Sequence, residues 1–270
     1  MKRIKACFFD IDGTLVRTDH TISRPVIDAV QRLEQEGVAP IIATGRSYEA
    51  LLPVKETLGI HSPLICYNGA MIVDGSDGTV LKHHTLPEKE ARAVITIARK
   101  LDYHILAYRS GELIYEKERP EAEEYYNRIK LPGKIVNFDE IDELKLTKCL
   151  MIADHENLLP VKEEIMEKHS EKLNAFNSDP RFLEIVPAGI DKAGAVREVM
   201  NLLGGTVEES MAMGDGFNDL PMLEAVHWGV VMANALPALR EKFPPERTAP
   251  HCDKDGVATY LADFFKWEER

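Results

Sequence analysis

The amino-acid sequence predicts an α/β chain whose parallel-sheet core is interrupted by an inserted α+β module. Three observations lead there. The first and last parts alternate short apolar strands with helices, an order that builds a parallel sheet with helices on both faces. The middle part joins strands by hairpins as well as by helices, which describes an α+β unit instead. Clusters of polar residues fall where the core strands end, the place where open α/β sheets build their sites. These patterns put the split core at 1–84 and 189–270 and the inserted module at 85–188.

Taken in order, the apolar run that ends at Phe9 reads as a buried strand, followed at once by Asp10 and Asp12. Ser23 is placed to cap a helix through Glu36, which Gly37 ends. Val38 to Ala43 is a short apolar strand. Ser47 caps the next helix, ending near Gly59, with Pro53 expected to kink or shorten it. Leu64 to Tyr67 is a third strand, and Asp74-Gly75 with Asp77-Gly78 mark the tight turns of a hairpin. In the middle, Ala91, Val94, Ile95, Ala98 and Leu101 recur at helical spacing within Glu88 to Leu101. Ile105 to Tyr108 and Leu113 to Tyr115 are strands around the Ser110-Gly111 turn. Glu121 to Arg128 reads as an exposed helix, Lys148 to Ala153 as a strand, Leu158 to His169 as a helix and Phe182 to Val186 as a strand. After Pro187 the first pattern returns: helix Ala193 to Leu203, strand Met211 to Met213, helix Asp219 to Ala225, strand Val230 to Met232 and closing helix Gly256 to Phe265.

Composition excludes several classes. The 270 residues are 44% hydrophobic and 29% charged, as in soluble globular proteins. A net charge of −12 argues against nonspecific binding to nucleic acid or to an anionic membrane surface. It is compatible with a small anionic substrate, because a bound cation and a few local Lys or Arg reverse the field inside a cleft. Cys7, Cys66, Cys149 and Cys252 are scattered and form no CxxC pair, so neither a zinc site nor a disulfide framework is indicated. The chain enters its first strand directly after Met1-Lys2-Arg3-Ile4, without a signal peptide, and has no apolar run long enough to span a bilayer. The expectation is a cytoplasmic protein.

Four features carry the chemistry. Asp10 and Asp12 are spaced by two, so an extended chain turns both carboxylates to one side, and Gly13 then lets the backbone turn sharply. Two crowded carboxylates at the end of a buried strand need a cation or a proton, which points to a metal site or an acid/base pair; a solvated Asp-Gly turn is the plainer alternative. Thr44-Gly45-Arg46 follows the second strand, where a hydroxyl and backbone amides suit a phosphate oxygen or, equally, a capping turn. Lys192 stands at a helix start, an unfavourable place for a cation unless something compensates it; ordinary surface placement is the alternative. Gly214-Asp215-Gly216-Phe217-Asn218-Asp219 offers oxygen ligands for a hard cation, or an Asx-turn with a helix cap.

In order and placement the four features resemble the haloacid dehalogenase-like phosphohydrolase superfamily. The resemblance covers essentially the whole chain. The superfamily's DxDGT motif matches Asp10 to Thr14, its Ser/Thr motif Thr44, its lysine motif Lys192 and its acidic motif Asp215 to Asp219. Tyr67-Asn68-Gly69-Ala70, Glu184-Ile185, Met232-Ala233-Asn234-Ala235 and Asp255-Gly256-Val257-Ala258 are similar to the Cof-type subgroup with a C2B cap. Ala193 stands where Gly is frequent and Phe217 where a polar residue is common; neither change removes a reacting group.

The resemblance implies a Rossmann-like catalytic core, with the inserted module as an α+β cap that closes over the cleft and reads the leaving group. It implies a Mg2+-dependent phosphatase of small phosphorylated metabolites, such as sugar phosphates or cofactor- and nucleotide-like phosphates. Asp10 would be the nucleophile that forms an aspartyl-phosphate, and Asp12 the general acid and base. Mg2+ would sit on Asp10, the Asp12 backbone carbonyl and Asp215, with Asp219 supporting the metal or Lys192. Thr44, Gly45, Asn218 and Lys192 would hold the phosphate, with Arg46 either joining them or making a structural ion pair. Arg109, beside the Ser110-Gly111 turn, is the candidate for reading the leaving group, against the plainer reading of an amphipathic hairpin. The expected partner is a small metabolite, with no nucleic acid and no membrane; no sequence feature sets an oligomeric state. A sugar phosphomutase of the same superfamily is an alternative. So is a phospho-accepting signalling module, although such modules place the phosphorylated Asp after the third strand, where this chain has Asn68.

Overall fold

The first strand, β1 (Ala6–Phe9), is buried along its whole length, which requires strands on both of its edges and cover on both of its faces. The computed structural model describes residues 4–129 and 132–267. Parallel neighbours need crossover connections, and α1 (Arg24–Gln35) is the first, with Val26, Ala29, Val30 and Leu33 buried. Ser23 occupies its N-cap position but makes no side-chain cap hydrogen bond. Pro25 has removed one of the N–H groups that a cap can reach. β2 (Ala39–Ile42) follows, then α2 (Tyr48–Leu58), whose cap Ser47 accepts from the Ala50 N–H. α2 runs past Pro53, where the sequence predicts a kink or an early end. Buried Leu51, Val54 and Leu58 supply packing that outweighs the one lost backbone bond.

β3 (Leu64–Cys66) runs beside the end of β2, joined by an Ala43–Ile65 bridge and by Thr44 N–H on the Ile65 carbonyl at 2.9 Å. It forms a separate three-stranded sheet with β4 (Met71–Val73) and β5 (Val80–His83), in the order β3-β4-β5. The hairpin turn closes with Asp74 N–H on the Thr79 carbonyl at 2.8 Å and Gly78 N–H on the Asp74 carbonyl at 3.0 Å.

The chain divides into two compact units, Met1–Lys82 with Asp191–Arg270, and His83–Ile190. The second begins with α3 (Glu88–Leu101), β6 (His104–Arg109), β7 (Glu112–Tyr115), α4 (Glu123–Ile129) and β8 (Gly133–Ile135). It continues through β9 (Leu146–Ile152), α5 (His155–His169), β10 (Leu173–Asp179) and β11 (Phe182–Pro187). Its six-stranded sheet has the order β10-β11-β9-β6-β7-β8 and is antiparallel except between β7 and β8. Ala91, Val94 and Ala98 of α3 and Leu158, Val161 and Ile165 of α5 share one core with Ile105, Cys149, Met151 and Ile185 of the sheet. Strand alternation sends Tyr108, Lys148 and Glu184 to the other face, where Lys148 Nζ lies 2.9 Å from Glu184 Oε2. β8 and β10 are strands the sequence reading misses. β8 is three residues long and partly exposed, and β10 reads Leu-Asn-Ala-Phe-Asn-Ser-Asp, polar enough to pass for a loop without its ladder to β11.

The core then resumes with α6 (Lys192–Leu202), β12 (Ser210–Gly214), α7 (Leu220–Ala225), β13 (Trp228–Met232), α8 (Pro237–Arg240), β14 (Thr248–Ala249) and α9 (Gly256–Phe265). The main sheet has the order β14-β13-β12-β1-β2, parallel throughout. Phe9 stands level with Ile42 on one side and Met213 on the other. Asp10, Thr44 and Asp215 therefore leave the sheet along one edge, although they lie far apart in sequence. All four cysteines are free and buried. Among the described residues, no helix is long and apolar enough to cross a membrane.

Candidate active site

The loop after β1 is shaped by Gly13, whose φ of 78° favours glycine. A β-carbon there would collide with the Asp215 carboxylate. The missing side chain is thus what lets the loops after β1 and β12 close on each other. Thr14 Oγ1 donates to Asp215 Oδ1 at 3.4 Å, and Asn234 Nδ2 donates to Asp215 Oδ2 at 3.1 Å.

Lys192 opens α6 yet is fully buried. Its Nζ donates to Asp10 Oδ1 at 2.6 Å and to Asp219 Oδ1 at 2.5 Å. These two carboxylates are the compensation that a cation at a helix N-terminus requires. Burial alone would lower the Lys192 pKa, but Asp10 and Asp219 outweigh it and hold it raised. Asp219 has no oxygen to spare: its Oδ2 accepts the Asp215 and Gly216 N–H groups at 3.0 and 2.8 Å. Its place is therefore to hold Lys192 and shape the acidic loop.

The cluster is short of positive charge. Oxygens of Asp10, Asp215 and Asp219 lie within 4.8 Å of one another, against the one ammonium of Lys192. Burial, followed by repulsion from Asp219, pushes the Asp10 carboxyl up to about 7 against the pull of Lys192. Burial and Asp219 likewise push Asp215 up to about 6. The Asp10 and Asp215 carboxylates form a hard, oxygen-only donor set with excess negative charge, which fits a small divalent cation.

The second half of the site follows β2. Arg46 closes a fork on Asp12, with Nε 2.9 Å from Oδ2 and Nη2 2.5 Å from Oδ1. The Asp12 side chain is 57% exposed. Arg46 N–H donates to Thr44 Oγ1 at 3.2 Å. The turn after β3 braces this loop, with Tyr67 N–H on the Arg46 carbonyl at 3.0 Å and Asn68 N–H on the Thr44 carbonyl at 2.9 Å. Asn68 Oδ1 accepts from Asn218 Nδ2 at 3.2 Å, and a β-carbon on Gly45 would press against the Asn68 amide.

The structure thus brings Asp10, Asp215, Asp219 and Lys192 into direct contact or within a few ångströms, and joins Asp12 to Arg46 and Asn218 to the Thr44 loop. Arg109 belongs to the other unit, where its Nε donates to the Leu144 carbonyl at 3.1 Å and its Nη2 to the Glu143 carbonyl at 3.3 Å. These donors are committed to the chain itself, where the sequence alone suggests a leaving-group contact. Thr14, Asn68 and Asn234 make site contacts to which the sequence reading assigns no task. For Asn234 a signal exists: it follows the end of β13, on the same edge as the other strand-end residues.

A family model of haloacid dehalogenase-like hydrolases matches residues 7–261. The chain belongs to that family. It is 29% identical over 253 residues to the HMP-PP phosphatase of Yersinia pseudotuberculosis serotype O:1b, which covers 94% of this chain and 92% of that protein. A haloacid dehalogenase-like hydrolase from Bacteroides thetaiotaomicron superposes with a TM-score of 0.88 at 29% identity, over 97% of this chain and 100% of the other. A Thermotoga maritima protein also gives a TM-score of 0.88, at 28% identity and over 96% and 97% of the two chains. The family resemblance read from the motifs is therefore correct, and the fold is the family's α/β core with its inserted antiparallel sheet.

Proposed function

We propose that this haloacid dehalogenase-like hydrolase is a Mg2+-dependent phosphatase of small phosphorylated metabolites that works through an aspartyl-phosphate on Asp10. The observation that carries the reading is Lys192, a fully buried cation clamped between Asp10 and Asp219 at the strand edge. It occupies one oxygen of Asp10 and leaves the other for attack. It also supplies positive charge where the transferred phosphoryl group gathers negative charge.

Asp10 Oδ2 attacks phosphorus; the new P–O bond to Asp10 forms as the bond to the leaving oxygen breaks. Asp12 enters the step in its acid form, with one oxygen released from the Arg46 fork, and gives that proton to the leaving oxygen. Asp12 then takes a proton from the water that attacks the aspartyl-phosphate, releasing phosphate and restoring the carboxylate. Thr44 Oγ1, the Gly45 N–H and the Asn218 amide hold the non-bridging oxygens, and Asp219 keeps Lys192 in place. Mg2+, held by Asp10, the Asp12 backbone carbonyl and Asp215, supplies further charge neutralisation when bound.

The test is phosphate release by the full chain from a panel of sugar phosphates, nucleotides and cofactor-like phosphates, each with Mg2+ and after EDTA. HMP-PP belongs in the panel because a relative is named for it. The expected result is metal-dependent release with one class favoured in kcat/KM. Full activity in metal-free protein, or no release from any monoester or pyrophosphate, overturns the reading.

A further inference from the structure

We infer that Asn234 is a positioning residue that presets the Asp215 carboxylate and the Gly13 turn for divalent-cation capture. This rests on the reading of Asp215 as a cation ligand. One side-chain nitrogen serves both groups: Asn234 Nδ2 donates to the Gly13 carbonyl at 2.7 Å and to Asp215 Oδ2 at 3.1 Å. Its other end, Oδ1, accepts the Cys252 N–H at 3.0 Å. That contact fixes which end of the amide is which, since a backbone N–H can only donate. Three chain segments, after β1, after β12 and before α9, thus meet on a single amide.

The far side of the amide is anchored as well. Asp253 accepts from Thr18 N–H at 2.9 Å and from Thr18 Oγ1 at 2.8 Å, and Arg17 Nη2 lies 2.5 Å from Asp255 Oδ1. The turn that holds Asn234 is therefore tied to the chain that leaves the Asp10 motif. Rotating the Asp215 carboxylate away would break the Asn234 contact without replacing it.

The chemistry favours an amide here over a charged donor. A Lys or Arg at this position would neutralise Asp215 and compete with a cation. A carboxylate would face the Gly13 carbonyl and Asp215 with no proton to give. A neutral donor orients the carboxylate and leaves its charge available, the usual task of groups that hydrogen-bond a metal ligand. Holding the Gly13 carbonyl also restrains the peptide that follows the Asp12–Gly13 bond, in the same turn as the Asp12 carbonyl.

The test is calorimetric titration of MgCl2 into metal-free full-length protein, wild type and Asn234→Ala, with thermal unfolding in EDTA alongside. Asn234→Ala is expected to weaken Mg2+ binding by about ten- to a hundredfold. The Mg2+ concentration for half-maximal phosphatase activity should rise in step, while the substrate KM at saturating Mg2+ stays close to wild type. A purely structural role would lower the melting temperature and leave the Mg2+ midpoint where it was; that result overturns the inference. Asn234→Ser, which keeps a shorter donor, should fall between the two, and it replaces the alanine variant if that one does not fold. Failure of both to fold assigns Asn234 to stability and also overturns the inference. Absence of Mg2+ binding in the wild type instead removes the reading of Asp215 on which the inference stands.

Discussion

Lys192 and Asp219 form a fully buried ion pair at 2.5 Å, and the second oxygen of Asp219 is spent on the N–H groups of Asp215 and Gly216. One side chain therefore fixes both the buried cation and the loop that carries Asp215. Removing Asp219 leaves Lys192 with Asp10 as its partner and strips the Asp215 and Gly216 N–H groups of their acceptor. Asp219→Ala should lower unfolding stability by about 3 kcal/mol or more in urea titration. A wild-type midpoint would mean that Asp10 alone satisfies Lys192.

Asp10→Asn should bring turnover down to background while the protein stays folded. The amide is nearly isosteric but a very poor nucleophile, and Asp219 still pairs with Lys192. Acid quenching during turnover should trap labelled phosphate on the wild type and none on the variant. Label retained by the variant would move the nucleophile elsewhere.

Asp12→Ala should depend on the leaving group. A sugar alkoxide needs a proton to depart, whereas p-nitrophenolate leaves without one. The loss in kcat should be larger, by about tenfold or more, for a sugar phosphate than for p-nitrophenyl phosphate. Arg46→Ala should show the same ordering in weaker form, because its fork aims the Asp12 carboxylate. Equal losses on both substrates would remove Asp12 from the acid role.

Arg109→Ala should cost about 1–2 kcal/mol of stability, since it strips hydrogen bonds from the Glu143 and Leu144 carbonyls. The ratio of kcat/KM for the best metabolite to that for p-nitrophenyl phosphate should stay constant. A tenfold or larger fall in that ratio would assign Arg109 to reading the leaving group.

His104 gives the inserted unit an acid-labile point. It is buried, its Nε2 lies 2.9 Å from the Tyr126 hydroxyl, and its ring lies 5.8 Å from that of Tyr115. Burial pushes its pKa down to about 4, so the unfolded chain binds the proton first. Stability contributed by the neutral ring is complete above the unfolded value near 6.5 and is lost as pH falls through about 4, by at most about 3 kcal/mol. His104→Phe should flatten that part of the stability profile between about pH 6.5 and 4. An unchanged profile would assign the acid limb to other groups.

The architecture and most of the candidate site residues were legible in the chain before any contact was seen. Strand–helix alternation marked the split core, and the helical spacing of Ala91 to Leu101 marked the first helix of the inserted unit. Asp10, Thr44, Lys192 and Asp215 were visible because strand ends are where such sheets place chemistry. Local signals were weakest where packing decides: α2 continues through Pro53 because its buried face holds it, and β10 exists because β11 supplies its ladder. The pairings follow from how the chain folds. Nothing local indicates that Lys192 is fully buried between Asp10 and Asp219, that Arg46 grips Asp12, or that one amide of Asn234 joins Gly13, Asp215 and Cys252. Each of these links residues separated by 18 to 221 positions. Such contacts depend on sheet order and register: β1 lies between β2 and β12, and that neighbourhood, more than any residue's own preference, brings the charges together.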